Sequence, residues 1–215
     1  MKVLKEGYRF IFISFVLGLL LLALRLGIVL NAIGVLSMLF SSFCLYFFRD
    51  PKVEIIKCET LIISPCDGTV LEILESDTEK VVRVFLSIFD VHLQRSPIAG
   101  KVVSVEHRPG RFLRAMNSCA HIVNEQNVIT IKNENGEYLV KQIAGILARR
   151  CVSWVKVGDV LKMGDKIGVI KFGSQVDLHM PKNVDVKVKN GDKVISGITI
   201  FASLNKYDRI SLKDL

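Results

Sequence analysis

The sequence has few of the residue patterns that mark common catalytic and metal sites. Its 215 residues include only five cysteines, with no Cys-x-x-Cys pair and no histidine at metal-ligand spacing. An odd number of thiols without that spacing excludes a disulfide framework and a zinc site, so we expect reduced thiols and no metal. A GxSxG elbow, a Walker loop, a GxGxxG turn and an HExxH helix are also absent. The enzyme classes built on those motifs are therefore not indicated.

Long hydrophobic runs are absent after residue 48, which excludes a transporter with many membrane spans. Two such runs precede that point, at residues 10–24 and 26–48. The second has the roughly 20 apolar residues that a span requires, and the first reaches that length with Tyr8, Arg9 and Arg25 at the interface. Cations flank both outer ends, so the sequence predicts a transmembrane helical hairpin with both ends in the cytoplasm. A cleaved signal peptide is the alternative, but the longer run directly behind the first disfavours it.

Acidic residues are in the minority, with 21 Asp and Glu against 29 Lys and Arg, and the net charge is +8. Nucleic acid and an anionic membrane are both possible partners for such a chain. The membrane is favoured because each cation next to an anionic bilayer gains about 1 kcal/mol. No zinc finger, basic helix or RNA-binding motif indicates nucleic acid. We therefore expect a protein of the inner membrane with its main domain on the cytoplasmic side.

The remainder of the chain has the pattern of a β-sheet protein. From Cys58 onward apolar residues alternate or form short buried runs. The candidate strands are residues 69–74, 81–88, 101–106, 128–132, 138–143, 167–172, 184–188 and 195–202. Asn135-Gly136 predicts a tight hairpin whose type I′ turn has positive φ at both residues. We predict a mainly β fold, with a β-sandwich-like domain at residues 51–215 behind a helical membrane anchor at residues 1–50.

A Gly-Ser pair is the first candidate for chemistry. Gly173 and Ser174 follow a strand-like run. A serine hydroxyl directly after a glycine can attack the glycine carbonyl and form an ester by an N-to-O acyl shift. A plain turn is the more frequent explanation of such a pair taken alone.

Three further segments contain polar residues in suggestive places. Asp67 lies in the turn-like stretch SPCDGTV, where an Asp-Gly pair is typical of a turn. His92 lies three residues before Arg95, and the two could form a titrating group beside an anion-binding cation. Arg149 and Arg150 end an apolar run that starts at QIAG, and an exposed strand end explains them equally well.

Several separated blocks occur in an order that is typical of one family. They are EGYRF, FFRDP, SPCDGTV, FLSIFDVHLQRSPIAGKV, HRPGRF, NEQN, QIAGILARR and VGDVLKMGDKIGVIKFGSQVDLHMP. In this order, and with the twin apolar run in front, the chain resembles the short, membrane-anchored type of phosphatidylserine decarboxylase proenzyme nearly end to end.

The resemblance implies an enzyme that completes itself by autocatalytic cleavage. The chain would break between Gly173 and Ser174, giving a β chain of residues 1–173 and an α chain of residues 174–215. Ser174 would become a covalent pyruvoyl group, which takes the electron-accepting part that pyridoxal phosphate plays elsewhere. The resemblance thus implies a lyase of phospholipid biosynthesis, acting on phosphatidylserine in the membrane to give phosphatidylethanolamine. Neither a metal nor pyridoxal phosphate would be required.

The resemblance also bears on the supporting residues. Asp67 and His92 match family positions that assist self-cleavage or decarboxylation. The larger branch of the family has a second histidine three residues after the position of His92, and this chain has Arg95 there. A literal Asp-His-Ser triad is therefore not expected: either His92 serves both steps, or a water or backbone group serves one. Arg95, Arg149 and Arg150 are candidates for binding the substrate phosphate or carboxylate.

Two other functions fit parts of the sequence. VKVGDVLKMGDKIGVI has the Gly-Asp rhythm of a biotinyl or lipoyl carrier domain, which requires a lysine at a turn tip. Lys162 comes early in that block, and the later part reads KFGS. A pyruvoyl enzyme for a soluble amino acid would share the Ser174 chemistry but leaves the anchor unexplained. Association of several copies is left open by the sequence.

Overall fold

The computed structural model describes residues 2–25, 27–113, 119–145, 150–171 and 174–204. The chain divides into two compact units, residues 1–52 and residues 53–215. The first unit contains strand β1 (Lys2–Val3), helix α1 (Lys5–Leu24), helix α2 (Ile28–Phe47) and strand β2 (Arg49–Asp50).

The two helices of the first unit are the two apolar elements that the sequence predicted. Their mean hydropathies are 2.2 and 2.1, and both are long and apolar enough to cross a membrane. Strand β1 pairs antiparallel with β2, so both ends of the helix pair lie on one side. Helix α1 begins at Lys5, earlier than the apolar run itself, because the polar first turn is also helical. The prediction of two apolar N-terminal helices is confirmed, and they indicate association with a membrane.

Small residues allow the two helices to approach closely. A Cβ placed on Gly18 would lie 2.9 Å from the carbonyl oxygen of Gly34. Nearby, the Ser41 hydroxyl donates a hydrogen bond of 3.0 Å to the carbonyl of Ile11 on the other helix. Membrane helices associate through contacts of this kind, because lipid removes the hydrophobic drive that holds helices together in water.

The second unit is built from antiparallel sheets. Its strands are β3 (Leu61–Ile63), β4 (Gly68–Glu75), β5 (Glu79–Leu86), β6 (Leu93–Arg95), β7 (Gly100–Arg108), β8 (Gln126–Asn133), β9 (Gly136–Ala144), β10 (Cys151–Ser153), β11 (Val160–Leu161), β12 (Lys166–Ile170), β13 (Ser174–Pro181), β14 (Val184–Val186), β15 (Lys193–Val194) and β16 (Ile200–Leu204). A short helix, α3 (Ala120–Val123), precedes β8. The large sheet has the order β11-β7-β8-β9-β13-β5-β4-β15, and two smaller sheets have the orders β10-β12-β6 and β14-β16-β3.

The hydrophobic core covers one face of the large sheet. Alternate residues of β13, namely Val176, Leu178 and Met180, are buried there. They face buried valines of the neighbouring strands, such as Val84 on β5 and Val140 on β9. This alternation is what a sheet with one packed face requires. The prediction of a mainly β fold is confirmed.

Local differences from the sequence prediction have simple causes. Strand β13 was not predicted, because the Gly-Ser pair before and at its first residue has the pattern of a turn. Residues 195–199 form a turn, closed by hydrogen bonds from Ile198 and Thr199 to the carbonyl of Ile195. The hairpin at Asn135 exists, but its strands pair Asn133 with Gly136, and only Gly136 of that turn has positive φ. The turn is therefore not of type I′.

Tyr138 gives a test of the core. Its side chain is fully buried, burial raises its pKa to about 12, and within the described residues its hydroxyl has no hydrogen-bond partner. We expect Tyr138→Phe to raise the free energy of unfolding by about 1 kcal/mol, because it removes an unsatisfied buried hydroxyl. Denaturation followed by fluorescence of Trp154, the single tryptophan, measures this. Tyr8→Phe, at an exposed tyrosine of the first unit, is the control; a loss of stability in Tyr138→Phe would contradict the expectation.

Candidate active site

Ser174 lies at the first position of β13, in the middle of the large sheet. It pairs with Leu86 at the end of β5 and with Ala144 at the end of β9. The residue is fully buried. Gly173, the other half of the predicted cleavage site, lies outside the described residues.

The Ser174 hydroxyl is the unusual group of this position. Its oxygen is buried and has no hydrogen-bond partner among the residues that the structure describes. An unsatisfied buried hydroxyl costs on the order of 1–3 kcal/mol, so its retention calls for an explanation. A side chain that is consumed in a reaction supplies one. The apolar neighbours Leu86 and Ala144 also suit a small carbonyl group that must be shielded from water.

His92 lies beside the strand that leads to Ser174. Its backbone carbonyl accepts a hydrogen bond of 3.2 Å from the N–H of Ile170, four residues before Ser174. The His92 side chain is 1% exposed, and its Nδ1 lies 2.9 Å from the carbonyl oxygen of Asp90. A carbonyl can only accept, so Nδ1 carries the proton and Nε2 has the lone pair in the neutral ring. This tautomer is the one that a base acting through Nε2 requires.

A buried chain of amide side chains ends at the carbonyl of His92. Gln94 donates from Nε2 to that carbonyl at 2.7 Å, and its Oε1 accepts from Nε2 of Gln142 at 2.8 Å. Gln142 in turn accepts from Nδ2 of Asn127 at 3.2 Å, and Asn127 Oδ1 lies 2.9 Å from Nδ1 of the exposed His107. Gln94 and Gln142 are fully buried. We name these three residues, Gln94, Gln142 and Asn127, the amide chain; it fixes the backbone that carries His92.

The amide chain depends on a glycine in β12. A Cβ on Gly168 would lie 2.6 Å from the Gln142 Nε2 and would collide with the carbonyl oxygen of Val152. Because Gly168 has no side chain, there is room beside it for the Gln142 amide.

Asp67 lies in the turn before β4. Its Oδ1 accepts the backbone N–H of Ser196 at 2.9 Å. The next residue, Gly68, has a φ of 150°, and a Cβ there would collide with the carbonyl oxygen of Phe85, one residue before Leu86. The Asp67 turn is thus packed directly against the strand beside Ser174.

Cys66, the residue before Asp67, is a fully buried thiol. Burial raises the pKa of the Cys66 thiol well above its usual value, and the charges of Asp67, Asp90 and Asp177 raise it further. The thiol is therefore neutral and inert as a nucleophile.

Asn124 ties a loop to the strand beside Ser174. Its Nδ2 donates to the carbonyl of Ala144 at 2.7 Å and to the carbonyl of Leu113 at 2.9 Å, while its Oδ1 accepts the N–H of Leu113 at 2.8 Å. Since Ala144 is paired with Ser174, this buried amide positions one wall of the site.

The candidate cations lie in different surroundings. Arg95 is buried on β6 and donates from Nη1 to the carbonyl of Gly164 at 3.1 Å. Arg150 is exposed, and its carbonyl accepts the N–H of Lys171, three residues before Ser174, at 3.2 Å. Arg149 lies outside the described residues. Substrate binding by these arginines stays a prediction.

A cluster of charged side chains lies on the face of β13 opposite to the Ser174 side chain. Asp177 is buried and accepts from Nε of Arg83 at 3.2 and 3.3 Å, and Arg83 also contacts Glu72 at 2.7 Å. Next to them, a cavity of about 270 Å³ includes Lys141 and His179 in its lining. Burial lowers the pKa of Lys141. Asp177 and His179 are three and five positions after Ser174 in β13. Because neighbouring side chains of a strand point to opposite faces, these two lie on the face opposite to the Ser174 side chain.

Metal ligation is not indicated in the described part of the chain, where no three His, Cys, Asp or Glu side chains converge as a metal site would require.

Known proteins match this chain over most of its length. The sequence profile of the family described as phosphatidylserine decarboxylase matches residues 40–202, a range that includes every candidate site residue. The chain belongs to the phosphatidylserine decarboxylase family.

Curated relatives of this family support the same assignment. A phosphatidylserine decarboxylase proenzyme of Carboxydothermus hydrogenoformans is 44% identical, over 83% of this chain and 88% of that protein. Proteins of the same name from Wolbachia pipientis wMel and from the Wolbachia of Brugia malayi are each 37% identical, over 94% of this chain and 91% of theirs. The resemblance inferred from the separated blocks is confirmed.

Sequence reasoning missed the amide chain, Asn124 and the Arg83–Asp177 pair. A signal existed for some of them, since Gln142 and Asn127 interrupt runs that otherwise read as buried strands. Which of these polar residues come into contact, however, depends on which strands pair, and the sequence alone does not give that pairing.

His179 gives a prediction about pH. Burial lowers its pKa from the ordinary value of 6.5, although a 2.9 Å hydrogen bond to Glu79 opposes this. As the pH falls below about 6.5, the unfolded chain gains a proton at this histidine that the folded chain does not, so stability falls. We expect His179→Gln to show a shallower loss of unfolding free energy between pH 7.5 and 5.5, measured by urea denaturation. Equal slopes in both proteins would contradict this.

Proposed function

We propose that the chain is a membrane-associated phosphatidylserine decarboxylase whose pyruvoyl group is made from Ser174 by autocatalytic cleavage after Gly173. The observation that carries the residue assignment is the buried Ser174 hydroxyl without a hydrogen-bond partner in the described structure, at the head of a central strand. Family membership supplies the reaction, in which phosphatidylserine loses carbon dioxide and becomes phosphatidylethanolamine.

Self-cleavage balances without any external reagent except water. The Ser174 oxygen attacks the Gly173 carbonyl carbon, and the peptide C–N bond breaks to leave an ester and a free amine. Loss of the proton from the Ser174 α-carbon then expels the carboxylate of Gly173. Water converts the remaining unsaturated residue into a ketone and releases ammonia. His92, with its lone pair on Nε2, is the candidate to take the hydroxyl proton, because its ring orientation is fixed by Asp90.

The residues around Ser174 fit the group that would replace it. A pyruvoyl carbonyl supplies an electrophile that binds the substrate amine and accepts the electron pair left by carbon dioxide. Leu86 and Ala144 flank it and exclude water, and Asn124 holds Ala144 in place. His92 can return a proton to the product through Nε2. Asp67 holds the turn before β4, which packs against Phe85, and we propose it as a positioning residue.

The proposal also covers the two product chains. The α chain would begin with β13, which is hydrogen-bonded on one edge to β5 and on the other to β9, both from the β chain. The two chains would therefore remain together after cleavage. Association of several such molecules is a separate matter that the sheet topology leaves open.

Membrane attachment completes the proposal. Residues 1–50 would form the anchor, with residues 51–215 as the decarboxylase domain on the cytoplasmic side of the inner membrane. The apolar pair α1 and α2 and the flanking cations support this. Exposed Arg150, near Lys171, is the described cation best placed to meet the substrate phosphate or carboxylate.

Intact-mass spectrometry of the purified protein tests the cleavage. We expect two chains that break between Gly173 and Ser174, the smaller one lighter by one ammonia than a serine-terminated chain. Ser174→Ala removes the nucleophile and is expected to give a single full-length chain. Ser203→Ala, at a partly buried serine of β16 that pairs with Leu61 and Asp185, is the matched control and should cleave normally. A single chain in the unaltered protein would refute self-processing.

Gln142 tests the positioning of His92. Gln142→Leu leaves the Gln94 oxygen and the Asn127 amide unpaired, and we expect self-cleavage to slow about tenfold, as a loss of ~1.4 kcal/mol of positioning would give. Ile129→Val is the control, because it destabilises the same sheet by about 1 kcal/mol without touching the amide chain. The cleavage rate is followed by gel electrophoresis after refolding. Equal rates in the two variants would show that the amide chain is only structural.

A further inference from the structure

Six neighbouring strands of the large sheet share one end, and Ser174 lies at it. Strands β5, β9 and β7 finish there, whereas β13, β8 and β4 begin there. Three segments leave this end next to Ser174: residues 87–91 after β5, residues 109–113 after β7, and helix α3 before β8. We call it the Ser174 end.

Each of these three segments exposes a large apolar side chain. Phe89 is 64% exposed, Ile122 on α3 is 68% exposed, and Phe112 is 38% exposed. Asn124 joins two of the segments, through its hydrogen bonds to Leu113 next to Phe112. Large apolar side chains grouped at one end of a domain indicate a surface that is covered in use.

Cations also lie at the Ser174 end. Arg111 is exposed and adjoins Phe112, and Arg150 is exposed and lies against Lys171. The carboxylates of the described residues here are Asp67, whose Oδ1 accepts the N–H of Ser196 at 2.9 Å, Asp90, whose Oδ2 accepts the N–H of Ser87 in its own loop at 2.8 Å, and Glu125. Separate apolar tips among cations match the headgroup layer of an anionic bilayer, where the tips enter the acyl boundary and the cations meet phosphates. A protein partner of comparable size would require a continuous apolar core instead.

We propose that the Ser174 end is a docking surface that inserts into the headgroup region of an anionic lipid leaflet. The docking surface consists of Phe89, Phe112, Ile122, Arg111, Arg150 and Lys171. The proposal rests on the proposed function, because a diacyl lipid that stays in the bilayer can meet Ser174 only if this end of the domain faces the leaflet. It adds which residues make the contact, independently of the anchor helices.

Tryptophan fluorescence of the full-length protein tests the docking surface directly. In a Trp154→Phe background, Phe89→Trp places the probe on the docking surface. Val160→Trp is the matched control: Val160 is 78% exposed and pairs with Lys101 at the opposite end of the sheet. Both proteins are reconstituted in vesicles of phosphatidylcholine and phosphatidylglycerol, an anionic lipid without a serine carboxylate. Brominated phosphatidylcholine quenches a probe in the leaflet, and acrylamide quenches a probe in water.

We expect the probe at residue 89 to emit at shorter wavelength and to be quenched by brominated lipid, and the probe at residue 160 to be quenched by acrylamide. Acrylamide quenching at both positions would overturn the proposal. Shielding of residue 89 from both quenchers would also overturn it, and would indicate a protein or a second copy instead. If Phe89→Trp does not fold, Ile122→Trp gives the same test at the same surface. No outcome depends on decarboxylation, so these results are independent of the proposed function.

Activity measurements separate the two proposals. We expect Ile122→Glu to lower turnover of vesicle phosphatidylserine about tenfold, as the loss of one buried aliphatic side chain predicts, and to lower turnover of dispersed short-chain phosphatidylserine much less. Val160→Glu should leave both rates unchanged. Equal losses on both substrates would contradict docking. No carbon dioxide from either substrate with the unaltered protein would refute the proposed function, whatever the fluorescence shows.

Discussion

The pairing of β13 on both of its edges is the constraint on which the rest of the structure depends. Eight residues of this strand are paired with β5, and its first six are also paired with β9. The strand begins at Ser174, so the proposed reactive position is held in the sheet and not in a loop. After the proposed cleavage, separation of the two product chains would require both ladders to break. Dilution would therefore not separate them.

The interior around Ser174 is more polar than a β core normally is. Buried amides are costly unless each donor and acceptor is paired, and the amide chain meets that condition from Asn127 to the carbonyl of His92. On the other face of β13, the buried carboxylate of Asp177 is paired with Arg83 in the same way. Both arrangements give up hydrophobic stabilisation and gain fixed geometry, as the proposed reaction of Ser174 with its own backbone requires.

Much of the fold could be predicted from the sequence, because strand alternation and the two apolar runs are local signals. Strands β4, β5, β7, β8 and β9 were predicted within a few residues of their bounds. Ser174 was predicted as the reactive residue through the resemblance and stays a prediction, since a Gly-Ser pair alone does not differ from a turn. The contacts of Gln94, Gln142 and Asn124 could not be predicted, because they depend on which strands become neighbours. His92 could be named as a candidate from the sequence, whereas the orientation of its ring depends on a backbone carbonyl that only the folded chain places.

The hairpin between β8 and β9 lies at the end of the sheet opposite to Ser174. Its strands close with Asn133 opposite Gly136, and the intervening residues Glu134 and Asn135 project beyond the ladder. Exposed hairpin tips of this kind accept inserted sequence with little loss of stability. An affinity tag or a fluorescent protein placed there would leave both chain termini unaltered. It would also label the proposed β chain at the end of the sheet opposite to the proposed docking surface, so that maturation could be followed in a living cell.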